Sequence, residues 1–254
     1  MWIPAGGHLL NTITMGSGSR TFVAHGGWVG GWELWQQPFE LMQDSWRCIG
    51  YDHRGAGAST APPESVTPQA LVDDLFTVLD DVGAEDCVLA GESMGALTVL
   101  AACIAQPDRF RGLVIVDGIN ATAGSSGPAD PVRADYRAYV EAFVDACVPE
   151  PDSDHLRRWG RQILDRSDPE AAARMLESHE DACLAPELES ITVPTLVIHG
   201  ERDAIVPVDV GRQTAARIPG AELVVIPGAG HVPTITRPRD VVRAIADWSE
   251  RRLA

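Results

Sequence analysis

Residues 87–95 read Cys87-Val88-Leu89-Ala90-Gly91-Glu92-Ser93-Met94-Gly95. A short apolar run of strand length meets a Gly-x-Ser-x-Gly turn. The small, apolar stretch Met94 to Gln106 follows, which suits a helix buried behind a sheet. That strand–turn–helix context gives the motif chemical meaning. The chain must reverse sharply, so the serine takes a strained backbone conformation. Side chains at Gly91 and Gly95 would collide with the neighbouring turn. The serine Oγ then stands above the sheet edge, and the helix N-terminus offers N–H groups to a developing negative charge.

Working outward, further Val/Ile/Leu-rich runs recur on both sides. They are Thr21–Ala24, Arg47–Tyr51, Leu113–Val116, Thr195–Ile198 and Leu223–Ile226. Continuous apolar runs of this kind suit a parallel sheet covered on both faces. Helical patterns alternate with them at Pro68–Val82, Pro207–Arg217 and Arg239–Arg252. The first has Leu71, Leu75, Val78, Leu79 and Val82 on one stripe, with Thr67 as N-cap and Gly83 as the stop. The alternation predicts an α/β class, a mostly parallel doubly wound sheet. From Gly118 to Ser190 the pattern changes. No parallel strand is evident, and Arg133–Cys147, Ser153–Leu164 and Pro169–Cys183 read as helices. Gly124-Ser125-Ser126-Gly127-Pro128 reads as a hinge-like loop into this stretch. The expected organisation is one core domain, residues 1–117 and 191–254, with an inserted helical lid at 118–190 over the sheet edge where such folds bind ligands.

Serine is a weak nucleophile and needs a base. His231, in Pro227-Gly228-Ala229-Gly230-His231 after the last strand run, can swing over that edge. The base needs an orienting carboxylate. Asp203, after Thr195–Ile198, completes the chain order Ser93, Asp203, His231. Two other acids compete with it: Asp117 ends the preceding strand, and Glu201 lies two residues before Asp203.

Composition sets bounds. The chain has 254 residues, 45% hydrophobic and 22% charged, with a formal net charge of −16. All 20 positive side chains are arginine, so no lysine can form a Schiff base. The acidic balance argues against a nucleic-acid partner. No apolar stretch approaches the ~20 residues of a membrane span, and the N-terminal stretch lacks the pattern of a signal peptide. The expectation is a cytoplasmic protein with no membrane or nucleic-acid partner, a small-molecule substrate and no cofactor. Oligomeric state stays open, a homodimer included. Five cysteines (Cys48, Cys87, Cys103, Cys147, Cys183) are odd in number and widely spaced, against a disulfide framework. Cys48, Cys87 and Cys103 read as buried small hydrophobes. No Cys/His group has zinc spacing, and His155 and His179 lack ligand partners, so no metal is expected.

His25-Gly26-Gly27-Trp28, the loop Asp52-His53-Arg54-Gly55-Ala56-Gly57-Ala58-Ser59 and the three motifs above together resemble the α/β-hydrolase superfamily, in its lidded branch of small esterases, lactonases and carbon–carbon hydrolases. The resemblance covers nearly the whole chain but does not specify a substrate. It implies an α/β-hydrolase fold and hydrolysis of an ester or lactone of a small, largely apolar molecule through an acyl-enzyme. It implies oxyanion N–H groups at Gly27 and Met94, with Trp28 as an alternative to Gly27, and it gives His25 a structural part in that loop. It also implies that Asp52 and Arg54 shape the second loop through bonds to backbone. Carbon–carbon bond hydrolysis, thioester hydrolysis, lyase chemistry and non-catalytic ligand binding share the same frame. Trp28 is a candidate pocket wall, whereas Trp32 and Trp35 suit the core. Phe143, Leu156, Trp159 and Met175 could roof a pocket or pack between lid helices.

Overall fold

The computed structural model describes residues 1–118, 129–180 and 185–253, without the side chains of 179, 180, 185 and 186. The expected hinge at Gly124–Pro128 and Cys183 lie outside the described residues, as does the side chain of His179.

The chain opens with a hairpin that the sequence reading did not anticipate. Strands β1 (Trp2–Ala5) and β2 (His8–Met15) pair antiparallel, with Ala5 opposite His8. Gly6 and Gly7, at φ +54° and +92°, make the two-residue turn. Positive φ at both turn positions fits the twist of flanking strands, and glycine adopts it without steric cost. Then come β3 (Arg20–His25), α1 (Gln36–Met42), β4 (Trp46–Tyr51), α2 (Pro68–Asp81), β5 (Cys87–Glu92), α3 (Gly95–Ala105) and β6 (Phe110–Val116). After helices α4 (Ala129–Ala134), α5 (Tyr136–Cys147), α6 (Asp154–Leu164) and α7 (Pro169–Glu180), the chain returns through β7 (Thr195–Gly200), α8 (Val208–Arg217), β8 (Glu222–Ile226), α9 (Pro233–Thr236) and α10 (Pro238–Arg252).

The eight strands form one sheet in the order β1-β2-β4-β3-β5-β6-β7-β8. β2 meets β4 antiparallel, and every pairing from β4 through β8 is parallel. Each expected strand is present, longer by one to three residues at its ends. Alternation along the strands feeds two cores. Val23, Ile49, Leu89 and Ile115 pack with Leu75, Leu79 and Val99 on one face. Phe22, Cys48, Val88 and Val114 pack with Trp35, Phe39 and Trp248 on the other. Cys48, Cys87, Cys103 and Cys147 are all buried and free. Trp35 is wholly buried, while Trp32 is only half-buried.

Local signals explain two of the helix starts. The Thr67 side chain accepts from the Ala70 N–H, and Gly83 stands at φ +62° beyond the C-terminus of α2. Such an N-cap is worth about 1 kcal/mol. The helix expected over Arg133–Cys147 is two helices. Asp135, at φ −155°, leaves the helical conformation and its carboxylate caps α5 by accepting from Ala138 N–H. Among the described residues, α4 to α7 and a short 3-10 turn at Ala185–Ser190 are the regular elements between β6 and β7. Arg133 ties α4 to α7 through Glu170 and Glu177. Among the described residues no helix is long and apolar enough to cross a membrane.

Candidate active site

Because β3, β5, β6, β7 and β8 run parallel, their C-terminal ends share one sheet edge. The loops leaving that edge carry Gly27, Ser93, Asp117, Asp203 and His231. Ser93 follows β5 directly and sits at φ +52°, a strained conformation for a residue with a side chain. The flanking glycines are sterically required. A Cβ on Gly91 would lie 2.5 Å from Val99 Cγ2 and 2.7 Å from the Gly95 carbonyl oxygen, and one on Gly95 would lie 2.2 Å from the Gly26 carbonyl oxygen.

Ser93 Oγ stands 2.8 Å from His231 Nε2, and His231 Nδ1 stands 2.7 Å from Asp203 Oδ2. The other Asp203 oxygen accepts from the N–H groups of Ile205 and Val206, at 2.8 and 2.9 Å. Burial alone would raise the Asp203 carboxyl. Hydrogen bonds from His199 and His231 and from the Val206 N–H outweigh it and hold Asp203 well below the usual carboxylate range. An ionised carboxylate only accepts, so Nδ1 of His231 carries the proton and Nε2 is left to accept from the Ser93 hydroxyl.

The competing acids go elsewhere. Glu201 accepts from the Gly228 N–H at 2.9 Å. Asp117 is fully buried and accepts from the Gly200 N–H at 2.7 Å. Burial and the Asp203 charge push its carboxyl far upward, so Asp117 is the neutral member of the pair. Between them lies His199, which the sequence analysis did not single out. Its Nε2–H donates to the Val206 carbonyl at 2.8 Å. Among the described residues Asp117, His199 and Asp203 make a tight cluster of donor types that metals use. Here the His199 nitrogen facing the carboxyls holds a proton, so it lacks the lone pair that a ligand needs.

Gly27 abuts Ser93: a Cβ there would stand 3.0 Å from Ser93 Cβ and 3.6 Å from Ser93 Oγ. Met94, the residue after Ser93, stands at the N-terminus of α3. The Gly27 loop is braced from below. Its carbonyl oxygen accepts from Gly30 N–H at 2.9 Å and lies 3.3 Å from His53 Nε2. His25 Nδ1 donates to the Gly26 carbonyl at 2.7 Å, and the His25 and His53 rings stack at 4.9 Å. Asp52 accepts from Trp32 N–H, Ala58 N–H and the Asn11 amide. Arg54 does less backbone work than expected. It pairs bidentately with Asp74 at 2.7 and 2.6 Å, and its remaining bond goes to the Ser65 carbonyl at 2.9 Å.

The serine opens onto an apolar pocket. Gly27, Trp28 and Leu34 line it from the core, Phe143, Val144, Leu156 and Leu164 from the inserted helices, and Val232 and Ile235 from the His231 side. Trp28 packs edge-on to Phe143 at 5.2 Å, and its indole N–H donates to the Ala172 carbonyl at 3.0 Å. Of the four lid residues singled out in sequence, Phe143 and Leu156 line this pocket. Met175 is buried near the Gly27 loop, and Trp159 borders an outer hollow. His155 is exposed. The sequence reading missed Glu92, a wholly buried carboxyl that also lines the pocket and accepts from the Thr234 hydroxyl at 2.9 Å. Burial is the main cause that pushes its carboxyl up to about 8. Its only signal was its seat beside Ser93.

Comparison with known proteins bears on the fold and the family. RutD of Klebsiella pneumoniae subsp. pneumoniae, assigned as a carbamate hydrolase, is 25% identical over 234 residues, 86% of this chain and 87% of that one. The 3-oxoadipate enol-lactonase 2 of Acinetobacter baylyi is 26% identical, covering 93% and 91%. The solved thermophilic esterase of Thermogutta terrifontis superposes with a TM-score of 0.90 at 26% identity, over 100% of this chain and 99% of the other. A model of the alpha/beta hydrolase family matches residues 22–244, and the chain belongs to that family.

Proposed function

We propose that Ser93, His231 and Asp203 form a catalytic triad, and that the protein hydrolyses ester or lactone bonds of small, largely apolar substrates. The observation that carries this reading is the hydrogen-bonded chain Ser93 Oγ–His231 Nε2 and His231 Nδ1–Asp203 Oδ2, at 2.8 and 2.7 Å, facing an apolar pocket. The esterase and enol-lactonase among its relatives support the reaction class. No lysine or arginine is among the described lining residues, so a substrate carboxylate would find no cationic partner there.

In this mechanism His231 takes the Ser93 proton as Oγ attacks the carbonyl carbon. The Gly27 and Met94 N–H groups receive the oxyanion, a contribution worth ~10²–10³ in rate for one donor. Gly27, rather than Trp28, is favoured because its backbone abuts the serine. The tetrahedral intermediate collapses, the alkoxide leaves with the proton from His231, and water repeats the cycle on the acyl-enzyme. The segment 118–190 acts as a lid whose helices α5 and α6 supply the acyl-facing wall. The test is intact mass spectrometry after a small fluorophosphonate, beside p-nitrophenyl esters and lactones of graded size. One adduct on Ser93 with ester or lactone turnover is expected. A folded protein with neither adduct nor turnover would overturn the assignment.

A further inference from the structure

The helices between β6 and β7 do more than roof the pocket. Two consecutive N–H groups of the histidine loop find their acceptors there. His231 N–H donates to the Cys147 carbonyl at the end of α5, at 2.9 Å, and Gly230 N–H donates to Glu150 Oε1, also at 2.9 Å. Glu150 is 2% exposed, and its second oxygen has no partner among the described residues. A buried carboxyl with so few bonds is costly, so its bond to Gly230 is not a surface accident. The contact is also close-packed. A Cβ on Gly230 would stand 2.3 Å from Pro149 Cδ and 2.6 Å from the Cys147 carbonyl oxygen. Arg157 of α6 fastens the segment in turn, donating to the Val148 carbonyl at 3.0 and 2.8 Å and to the Glu150 carbonyl at 3.0 Å.

We propose that Glu150 is a positioning residue for His231, holding the base through the Gly230 N–H so that a seated lid and an aligned base are one state. This rests on His231 acting as the base of the proposed reaction. A catalytic base tolerates about 0.5 Å of displacement, and a misplacement near 1 Å can cost ~10²-fold. Lifting the Cys147–Glu150 segment removes both acceptors at once, so the serine loses its base whenever the lid is off. The lid thereby becomes a control on the chemistry as well as on entry to the pocket.

The experiment compares wild type, Glu150→Ala, Glu150→Gln and Ser93→Ala on a short p-nitrophenyl ester, with fluorophosphonate labelling rates and peptide-level hydrogen exchange. Glu150→Ala is expected to lower kcat roughly tenfold and slow labelling in parallel, with KM within about twofold. Exchange should rise together over residues 145–151 and 227–232. Glu150→Gln keeps an acceptor oxygen for Gly230 and should restore most of kcat. Wild-type kcat and labelling in Glu150→Ala would overturn the proposal, as would equal losses in the Ala and Gln variants. Should Glu150→Ala fail to fold, Arg157→Met loosens the same segment and is expected to lose kcat likewise; unchanged kcat there would overturn the proposal. Ser93→Ala separates the two levels. Turnover surviving in that variant overturns the triad itself, whereas its loss beside an unaffected Glu150→Ala overturns only the positioning role.

Discussion

Asp203 and Asp117 approach the same proton-bearing atom: Asp203 Oδ2 lies 3.4 Å, and Asp117 Oδ1 3.5 Å, from His199 Nε2. Two carboxyls this close inside a protein do not both ionise cheaply. Asp203 has His231 and two backbone N–H groups, while Asp117 has the Gly200 N–H and complete burial. The charge therefore settles on Asp203. Asp203→Asn should lower kcat by ~10³–10⁴ with the fold intact, because the amide offers His231 the wrong partner. Asp117→Asn keeps an oxygen for Gly200 and should stay within a few-fold of wild type. Steady-state kinetics on one ester decides, and the reverse ranking would make Asp117 the acid.

The turn at Ser93 is strained. With φ at +52°, any side chain there is disfavoured, and relief is worth about 1–2 kcal/mol. Ser93→Ala and Ser93→Gly should both abolish turnover. They should differ in stability, with the glycine variant melting a few degrees above the alanine one. Elsewhere in a fold glycine is usually the less stable of the two, so an alanine variant at or above the glycine one would show that the turn is unstrained.

Much of this site could be read in the sequence, since strand ends followed by small-residue loops mark a sheet edge directly. Gly91, Gly95 and the order Ser93, Asp203, His231 are local patterns, and the structure places those three side chains in hydrogen-bonding reach. The β1–β2 hairpin around Gly6-Gly7 was not read, because Pro4 and the polar Asn11 and Thr12 weakened the strand signal. The split between α4 and α5 hid because Asp135 caps a helix inside what reads as one amphipathic stripe. Glu92, His199 and Glu150 were not legible, as their roles come from partners 142, 7 and 80 positions away. Only tertiary packing makes a carboxyl or imidazole that significant.

Glu92 makes stability depend on pH in a direction opposite to Asp203. Its carboxyl titrates near 8 in the fold, against 4.5 ordinarily, with burial the main cause and the Asp203 charge adding to it. Between those values the folded state holds a proton that the unfolded state has released. Stability is therefore fully present below about 4.5 and is lost as pH rises through about 8. Glu92→Gln cannot ionise and still offers an oxygen to the Thr234 hydroxyl. Its stability relative to wild type should grow from pH 5 to pH 8 and level off above. Urea melts across that range measure it, and a difference independent of pH would show that Glu92 stays ionised.

Pocket length should respond to two substitutions in opposite directions. Phe143 closes the pocket against Trp28, with ring centroids 5.2 Å apart and planes at 72°. Phe143→Ala removes that wall, and each further methylene buried in the new space can contribute about 0.8 kcal/mol. The kcat/KM ratio of octanoate to butanoate p-nitrophenyl ester should rise. Gly160 of α6 also lines the pocket and packs on Val144, where a Cβ would lie 3.2 Å from Val144 Cγ1. Gly160→Val fills space in α6 and should lower the same ratio. Neither change touches Ser93 or His231, so acetate-ester kcat should move much less than the ratio. If both variants shift the ratio the same way, or neither shifts it, the acyl chain does not lie between α5 and α6.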